Sequence, residues 1–329
     1  MAHKPTFFQR PDRIRRPLHV VTTVFNSARY RSRWKLLEDF IGMCDDTGAR
    51  LTVVEVAFGA RDFALPRDDA RYQLVQLRTR SEIWLKENAI NIGVSRLPAD
   101  WEYVAWIDGD VTFVRPDWAD ETLHQLQHTP VVQMWSEAMD MNSKHELMFH
   151  WKSLNYVRYL GLPTVPDAGK QGSYYYMPVK GRLSPYPHAG YAWAMRRDAW
   201  DALGGLFDKA ILGAADWHMG HALLGQVEWT ISRGYTQQYK DYLREWEARA
   251  EKYIKRNVGF VRGTVVHHWH GPKTLRRYQS RNNIMIHAKY DPDRDLKRDW
   301  QGLYQLTDRS TYLRDAARRY FHEREEDSI

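Results

Sequence analysis

Two carboxylates separated by one glycine, Asp108-Gly109-Asp110, interrupt an apolar run in the stretch Glu102 to Pro116, EYVAWIDGDVTFVRP. Val104, Ala105, Trp106 and Ile107 ahead of them read as a strand buried on both faces. Open α/β sheets bind ligands at the carboxyl ends of such strands. On a strand, side-chain alternation puts Asp108 and Asp110 on one side, and Gly109 leaves room for a bulky ligand. Like charges this close repel unless a cation lies between them or one keeps its proton. Magnesium or manganese suits such oxygen ligands. Asp-Gly is also a common turn dipeptide, and D-x-D arises by chance in many proteins. The buried run that enters the triplet is what favours the metal reading.

A second concentration of chemistry lies at His267-His268-Trp269-His270, ending the run GTVVHHWHG. Alternation pairs His268 with His270 on one face and His267 with Trp269 on the other. One of these three imidazoles is expected to join the acids on the metal. Lys273, Arg276 and Arg277 follow and suit phosphate oxygens, although such a cluster can equally be a solvated basic face. Asp216, at the expected start of a helix in LGAADWHMGHALL, can cap that helix or face a cleft as a general base. Glu55 stands alone inside the apolar run LTVVEVAF and needs a partner, either an internal arginine or the hydroxyls of a ribose.

The elements that position these residues follow from periodicity. Leu18–Phe25 reads as a first buried strand, followed by a helix through Trp34, Leu37, Phe40 and Ile41 that Asn26 and Ser27 are expected to cap. Leu51–Phe58 is a second strand, Tyr72–Leu77 a short third, Ile83–Leu97 an amphipathic helix, and the next strand ends at Asp108-Gly109-Asp110. This β-α-β-β-α-β order predicts an α/β fold with a doubly wound, mostly parallel sheet. A helix over 119–127 and a strand over 130–135 follow. Residues 162–187, with five prolines and Tyr174-Tyr175-Tyr176, form a long connection of the kind used for lids. Further on come the strand-like HAGYAWA (188–194), helices over 197–203, 212–224 and 237–256, the histidine-bearing strand, and a mostly helical tail.

Charge and composition bound the partners. The chain has 329 residues, with 48 Lys+Arg against 41 Asp+Glu, a formal charge of +7. That balance favours an anionic partner such as nucleotide phosphates, nucleic acid or an acidic membrane. A single cysteine, Cys44, excludes an internal disulfide framework. No apolar run reaches the length of a membrane span, and the basic start lacks the apolar core of a signal peptide. A soluble, cytoplasmic protein is expected. We divide it into a basic arm (1–17), a main domain (18–281, with halves 18–135 and 136–281) and a tail (282–329).

Taken in order, these motifs resemble the nucleotide-sugar-dependent glycosyltransferases of the GT-A fold, among them family 2-like enzymes and bacteriophage enzymes that modify DNA. The likeness spans about Leu18 to Arg281. It implies a Rossmann-like, mostly parallel central sheet flanked by helices, with a helical C-terminal extension. It also implies that Asp108 and Asp110 bind Mn2+ or Mg2+ on the diphosphate of a nucleoside diphosphate sugar, a UDP-sugar first among them, with His270 completing the metal site. Thr23, Glu55, Lys86 and Asn91 would hold the nucleoside, and Lys273 the diphosphate. Gly190 and Trp193 would touch the sugar, and Asp216 would be the base. The family pattern has a pair of acids there. Here the first is Ala215, so neither retention nor inversion at the anomeric carbon follows. The basic charge is compatible with DNA, and the resemblance to the bacteriophage enzymes implies a hydroxymethylated pyrimidine of double-stranded DNA as acceptor, flipped out of its stack. A saccharide, lipid or protein acceptor is the alternative. A metal-dependent nuclease and a non-catalytic DNA-binding protein are the readings from other classes.

Overall fold

The computed structural model describes residues 16–165, 187–278 and 280–328. The basic arm, apart from Arg16 and Pro17, and the tyrosine triplet of the long connection lie outside the described residues. The strands are β1 (Leu18–Phe25), β2 (Arg50–Phe58), β3 (Tyr72–Thr79), β4 (Tyr103–Ile107), β5 (Val111–Phe113), β6 (Val131–Gln133), β7 (Glu137–Met141), β8 (Leu147–Lys152), β9 (Ala192–Arg196), β10 (Val258–Phe260), β11 (Thr264–His267), β12 (Leu296–Arg298) and β13 (Tyr304–Leu306). The α-helices are α1 (Arg31–Asp45), α2 (Lys86–Val94), α3 (Trp118–Leu126), α4 (Leu154–Tyr159), α5 (Arg197–Leu203), α6 (Ala215–Ala222), α7 (Gln237–Tyr253), α8 (Asn282–His287), α9 (Pro292–Asp295) and α10 (Thr311–His322).

Seven strands form the central sheet in the order β10-β6-β9-β4-β1-β2-β3. Only β9 runs against its neighbours β4 and β6; every other pairing in this sheet is parallel. The expected mixed α/β architecture with a mostly parallel sheet is therefore present. β1 can occupy the middle because its β-branched and apolar side chains bury on both faces, Val21 against one apolar cluster and Val20 and Val24 against the other. A second sheet, β5-β11-β7-β8, lies at the carboxyl end of β4. The tail shares the main core, since Leu303, Leu313, Ala317 and Tyr320 belong to the same apolar cluster as Val21 and Trp106. It also includes the hairpin β12-β13, which helical periodicity alone did not predict.

Two local expectations change. Asn26 does not cap α1. Its amide brackets Tyr30, accepting from Tyr30 N at 2.9 Å and donating to Tyr30 O at 2.7 Å. The free amides at the start of α1 instead donate to Asp327 of the tail, from Arg31 at 2.8 Å and Ser32 at 2.9 Å. The strand within HAGYAWA begins only at Ala192, because Tyr191 adopts a positive φ of 76°. Among the described residues no helix is long and apolar enough to cross a membrane.

Candidate active site

The register of the second sheet decides which acids and imidazoles meet. β4 ends at Ile107, so Asp108-Gly109-Asp110 is a turn between β4 and β5 and not a continuation of the strand. Strand alternation therefore does not apply to the two acids, and they find different partners. Asp108 forms an ion pair with Lys86 at the start of α2. Asp110 faces the end of β11, where His267 lies opposite Val111 in the antiparallel ladder and beside Asp140 in the parallel one.

Asp110, His267 and His270 offer ligand atoms that lie within 4.8 Å of one another. Nε2 of His270 is 3.0 Å from Asp110 Oδ2, and Nε2 of His267 is 3.8 Å from Oδ1. The two Nε2 atoms are 3.1 Å apart. Nδ1 of His267 is held 2.7 Å from the buried carboxylate of Asp140. That contact fixes the proton on Nδ1 and aims the Nε2 lone pair at its neighbours. Asp110 Oδ1 is buried and has no hydrogen-bond partner among the described residues. Converging nitrogen lone pairs and an orphaned carboxylate oxygen fit a divalent cation, which would satisfy all of them. The side chains that converge are Asp110, His267 and His270, and not the expected set of Asp108, Asp110 and His270. His268 is turned away, with its Nε2 2.9 Å from Thr112 Oγ1.

These groups line one cavity of about 250 Å³. Among the sequence candidates, Thr23, Lys86, Asp108, Asp110, Gly190, Asp216, His270 and Lys273 line it. Glu55, Asn91 and Trp193 do not. The Glu55 carboxylate accepts from the amides of Ala64 and Leu65 at 2.5 and 3.4 Å and from Gln76 Nε2 at 3.2 Å, so its partner is neither an arginine nor a ribose. Asn91 ties down the turn after α5 through Leu206 N and O. Trp193 stacks on Trp106 in the core and donates its indole N–H to Ala189 O. Lys273 is engaged with Asp140, and Arg277 reaches Glu323 at 2.8 Å outside the cavity.

Other cavity residues carried little signal in the sequence. Glu87, beside Lys86, is buried and accepts from Trp84 Nε1 at 3.1 Å. Burial pushes its carboxyl up to about 8, against the pull of Lys86. His188 is driven down to about 4 by burial, so its ring is neutral, and it stacks on Tyr191 at 4.1 Å. Burial raises the Asp108 carboxyl, with Lys86 opposing. Burial works the same way on Asp110, but the imidazoles of His270 and His267 prevail and hold it below the usual carboxylate range. Arg276, Arg281 and Arg324 supply cationic wall, and the Nε of buried Arg276 has no partner among the described residues. Asp140 was readable in one respect: it shares the inward face of the strand EAMDM with Ala138. Gly190 is where space matters most, because a Cβ there would lie 2.6 Å from Asp216 Oδ2 and 2.8 Å from His188 Cε1.

No protein-family model matches the sequence, and no curated protein does. Solved structures similar to the chain include the catalytic domain of Drosophila β1,4-galactosyltransferase 7 in complex with xylobiose, at 10% identity and TM-score 0.38, covering 92% of this chain and 98% of that one. Another is glucosyl-3-phosphoglycerate synthase from Mycobacterium tuberculosis with Mn2+, UDP-glucose and phosphoglyceric acid, at 14% identity and TM-score 0.40, covering 90% and 88%. A third is a putative nucleotide-diphospho-sugar transferase from Desulfovibrio desulfuricans, at 9% identity and TM-score 0.32, covering 83% and 97%. Likeness of this degree carries neither substrate nor mechanism over to this chain.

Proposed function

We propose that the protein is a metal-dependent glycosyltransferase of the GT-A type that moves a sugar from a nucleoside diphosphate sugar, a UDP-sugar, to a hydroxyl. The observation that carries this reading is the meeting of Asp110, His267 and His270 around an orphaned carboxylate oxygen, in a cavity walled by Lys86, Arg276, Arg281 and Arg324. A lone cation site would not need that wall. A diphosphate would, because its charge has to be met by both a metal and fixed cations.

Asp110, His267 and His270 would hold Mn2+ or Mg2+, which supplies Lewis-acid stabilisation of a departing diphosphate. Arg276 and Arg281 bind its oxygens, and Lys86 holds Asp108 at the cavity wall, where the carboxylate accepts hydroxyls of the donor. Thr23, at the end of β1, lines the nucleoside end. Asp216 takes the proton of the attacking hydroxyl: its Oδ1 is occupied by the Trp217 amide at 2.9 Å, and Oδ2 lies over Gly190. Neutral His188 and protonated Glu87 offer hydrogen bonds to sugar hydroxyls without adding charge beside the departing group.

As acceptor we propose hydroxymethylpyrimidine DNA, a polyanion that the chain's formal charge of +7 would attract. The test is a thermal-shift panel of nucleoside diphosphates and their sugars with and without Mn2+, followed by transfer assays on hydroxymethylpyrimidine DNA and on simple saccharides. Stabilisation by a nucleoside diphosphate only when Mn2+ is present is expected. If no nucleotide stabilises the protein, or if stabilisation ignores the metal, the glycosyltransferase reading fails. Labelling of saccharides alone would remove DNA as the acceptor.

A further inference from the structure

The segment 323–328 lies more than 50 residues beyond His270 in sequence, yet it packs directly behind the metal ligands. Glu326 is almost fully buried, and both its oxygens are engaged. Arg33 Nε lies 2.5 Å from Oε2 and Arg33 Nη2 2.7 Å from Oε1, while Arg324 Nε is 2.9 Å from Oε1. The same Oε2 is 3.9 Å from Nδ1 of His270. On either side the backbone is pinned. Asp327 takes the first two amides of α1, Trp269 Nε1 donates to Ser328 O at 2.9 Å, and the Glu325 amide donates to Tyr30 Oη at 3.0 Å. Gly271 makes room for this strap: its φ is 91°, and a Cβ there would lie 2.6 Å from the Glu326 Cα.

We infer that Glu326 is a positioning residue for the proposed metal centre, setting the tautomer and aim of His270 as Asp140 does for His267. A buried carboxylate facing Nδ1 favours the proton on that nitrogen, which leaves the Nε2 lone pair directed at Asp110. Arg33 and Arg324 keep the carboxylate ionised and fixed, and Asp327 holds the strap to α1. Both metal-facing imidazoles would then have an outer carboxylate, one from β7 and one from the tail. Such outer partners affect metal affinity by about 10- to 100-fold. This inference rests on the proposed metal-dependent reading.

The test is direct titration of the full chain with Mn2+, following the free ion by electron paramagnetic resonance. Wild type is expected to bind one ion, and Glu326→Gln to bind it about 10- to 100-fold more weakly. Glu326→Asp, which keeps the charge, should recover part of the loss. Asp327→Asn, which leaves Glu326 in place but loosens the strap, should weaken binding by a smaller factor, and it serves as the second variant if Glu326→Gln does not fold. Wild-type affinity in a folded Glu326→Gln, or in Asp327→Asn if that alone folds, overturns the positioning role and leaves the metal reading standing. A wild-type protein that binds no Mn2+ ends both.

Discussion

Replacing Asp140 by Asn perturbs the hub behind the proposed metal ligands. Asp140 is fully buried. Its Oδ1 accepts from Tyr191 Oη and faces Nδ1 of His267, both at 2.7 Å. Its Oδ2 accepts from Trp151 Nε1 at 2.7 Å and pairs with the Lys273 ammonium. An asparagine amide fits the same space, but its NH2 cannot face Trp151 Nε1 and Lys273, which only donate, so it turns toward Tyr191 Oη and Nδ1 of His267 and drives the His267 proton to Nε2. The Lys273 charge would also be left buried and unpaired. Breaking a buried pair in this way costs about 3–5 kcal/mol, against the total of about 5–15 kcal/mol typical of folded domains. The variant should therefore fold and show a clearly lowered urea midpoint with an unchanged denaturant slope. Adding Lys273→Met removes the stranded charge, and the double variant should regain at least half of the loss, a coupling that a double-mutant cycle reads directly. Mn2+ affinity should stay low in both, because neither restores the carboxylate that orients His267. A single variant within about 1 kcal/mol of wild type would refute the reasoning. So would a double variant no more stable than the single one.

The two acids of the D-x-D turn should separate in function. Asp110→Asn is expected to abolish measurable Mn2+ binding, whereas Asp108→Asn should keep Mn2+ affinity within a few-fold and lose nucleotide-sugar binding; equal loss of Mn2+ from both would restore Asp108 as a ligand. Asp216→Asn should lower transfer by about 10²- to 10⁴-fold, the usual weight of a general base, while Mn2+ and nucleoside diphosphate still stabilise the protein. Retention of transfer would place the base elsewhere. Glu87 predicts a pH dependence. Its folded value of about 8 lies above the ordinary 4.5, so between those values the unfolded chain has released a proton that the native state retains, and stability falls as pH rises. His188 has the opposite sign, with a folded value of about 4 against 6.5, so stability rises with pH across that lower window. The His188 contribution ends at about pH 6.5, and Glu87→Gln should flatten the decline in thermal midpoint between there and about pH 8. An identical decline in the variant would assign it to another group.

Most of the parallel framework was legible because it rests on buried β-branched runs. β1 and α5 coincide with their expected ranges, β2 lies within a residue of its own, and β4 stops short of the acids it was expected to carry. Short strands fared differently. β5 and β7 are too short to carry a long hydrophobic run, and each pairs with β11, a strand more than 100 residues away in sequence. Local periodicity cannot register a partner that distant. The cap of α1 was illegible for the same reason: Asn26 and Ser27 are the right residue types in the right place, yet the amides are taken by Asp327, nearly 300 residues on.

The site itself was legible in residue type and misread in pairing. Alternation assigned Asp108 and Asp110 to one face and separated His267 from His270, and both statements hold only while the chain remains extended. The strand stops at Ile107 and β11 stops at His267, so each motif leaves the sheet where its chemistry begins. Beyond those points, position is set by tertiary contacts. Lys86 draws Asp108 aside, and the turn after β11 brings His270 Nε2 to within 3.1 Å of His267 Nε2. A strand rule applied past the strand's end therefore names residues that gather at one cavity and gives them the wrong neighbours. That is the expected failure wherever ligands gather at the carboxyl edge of a sheet, because the backbone must leave the ladder there to make a concave site.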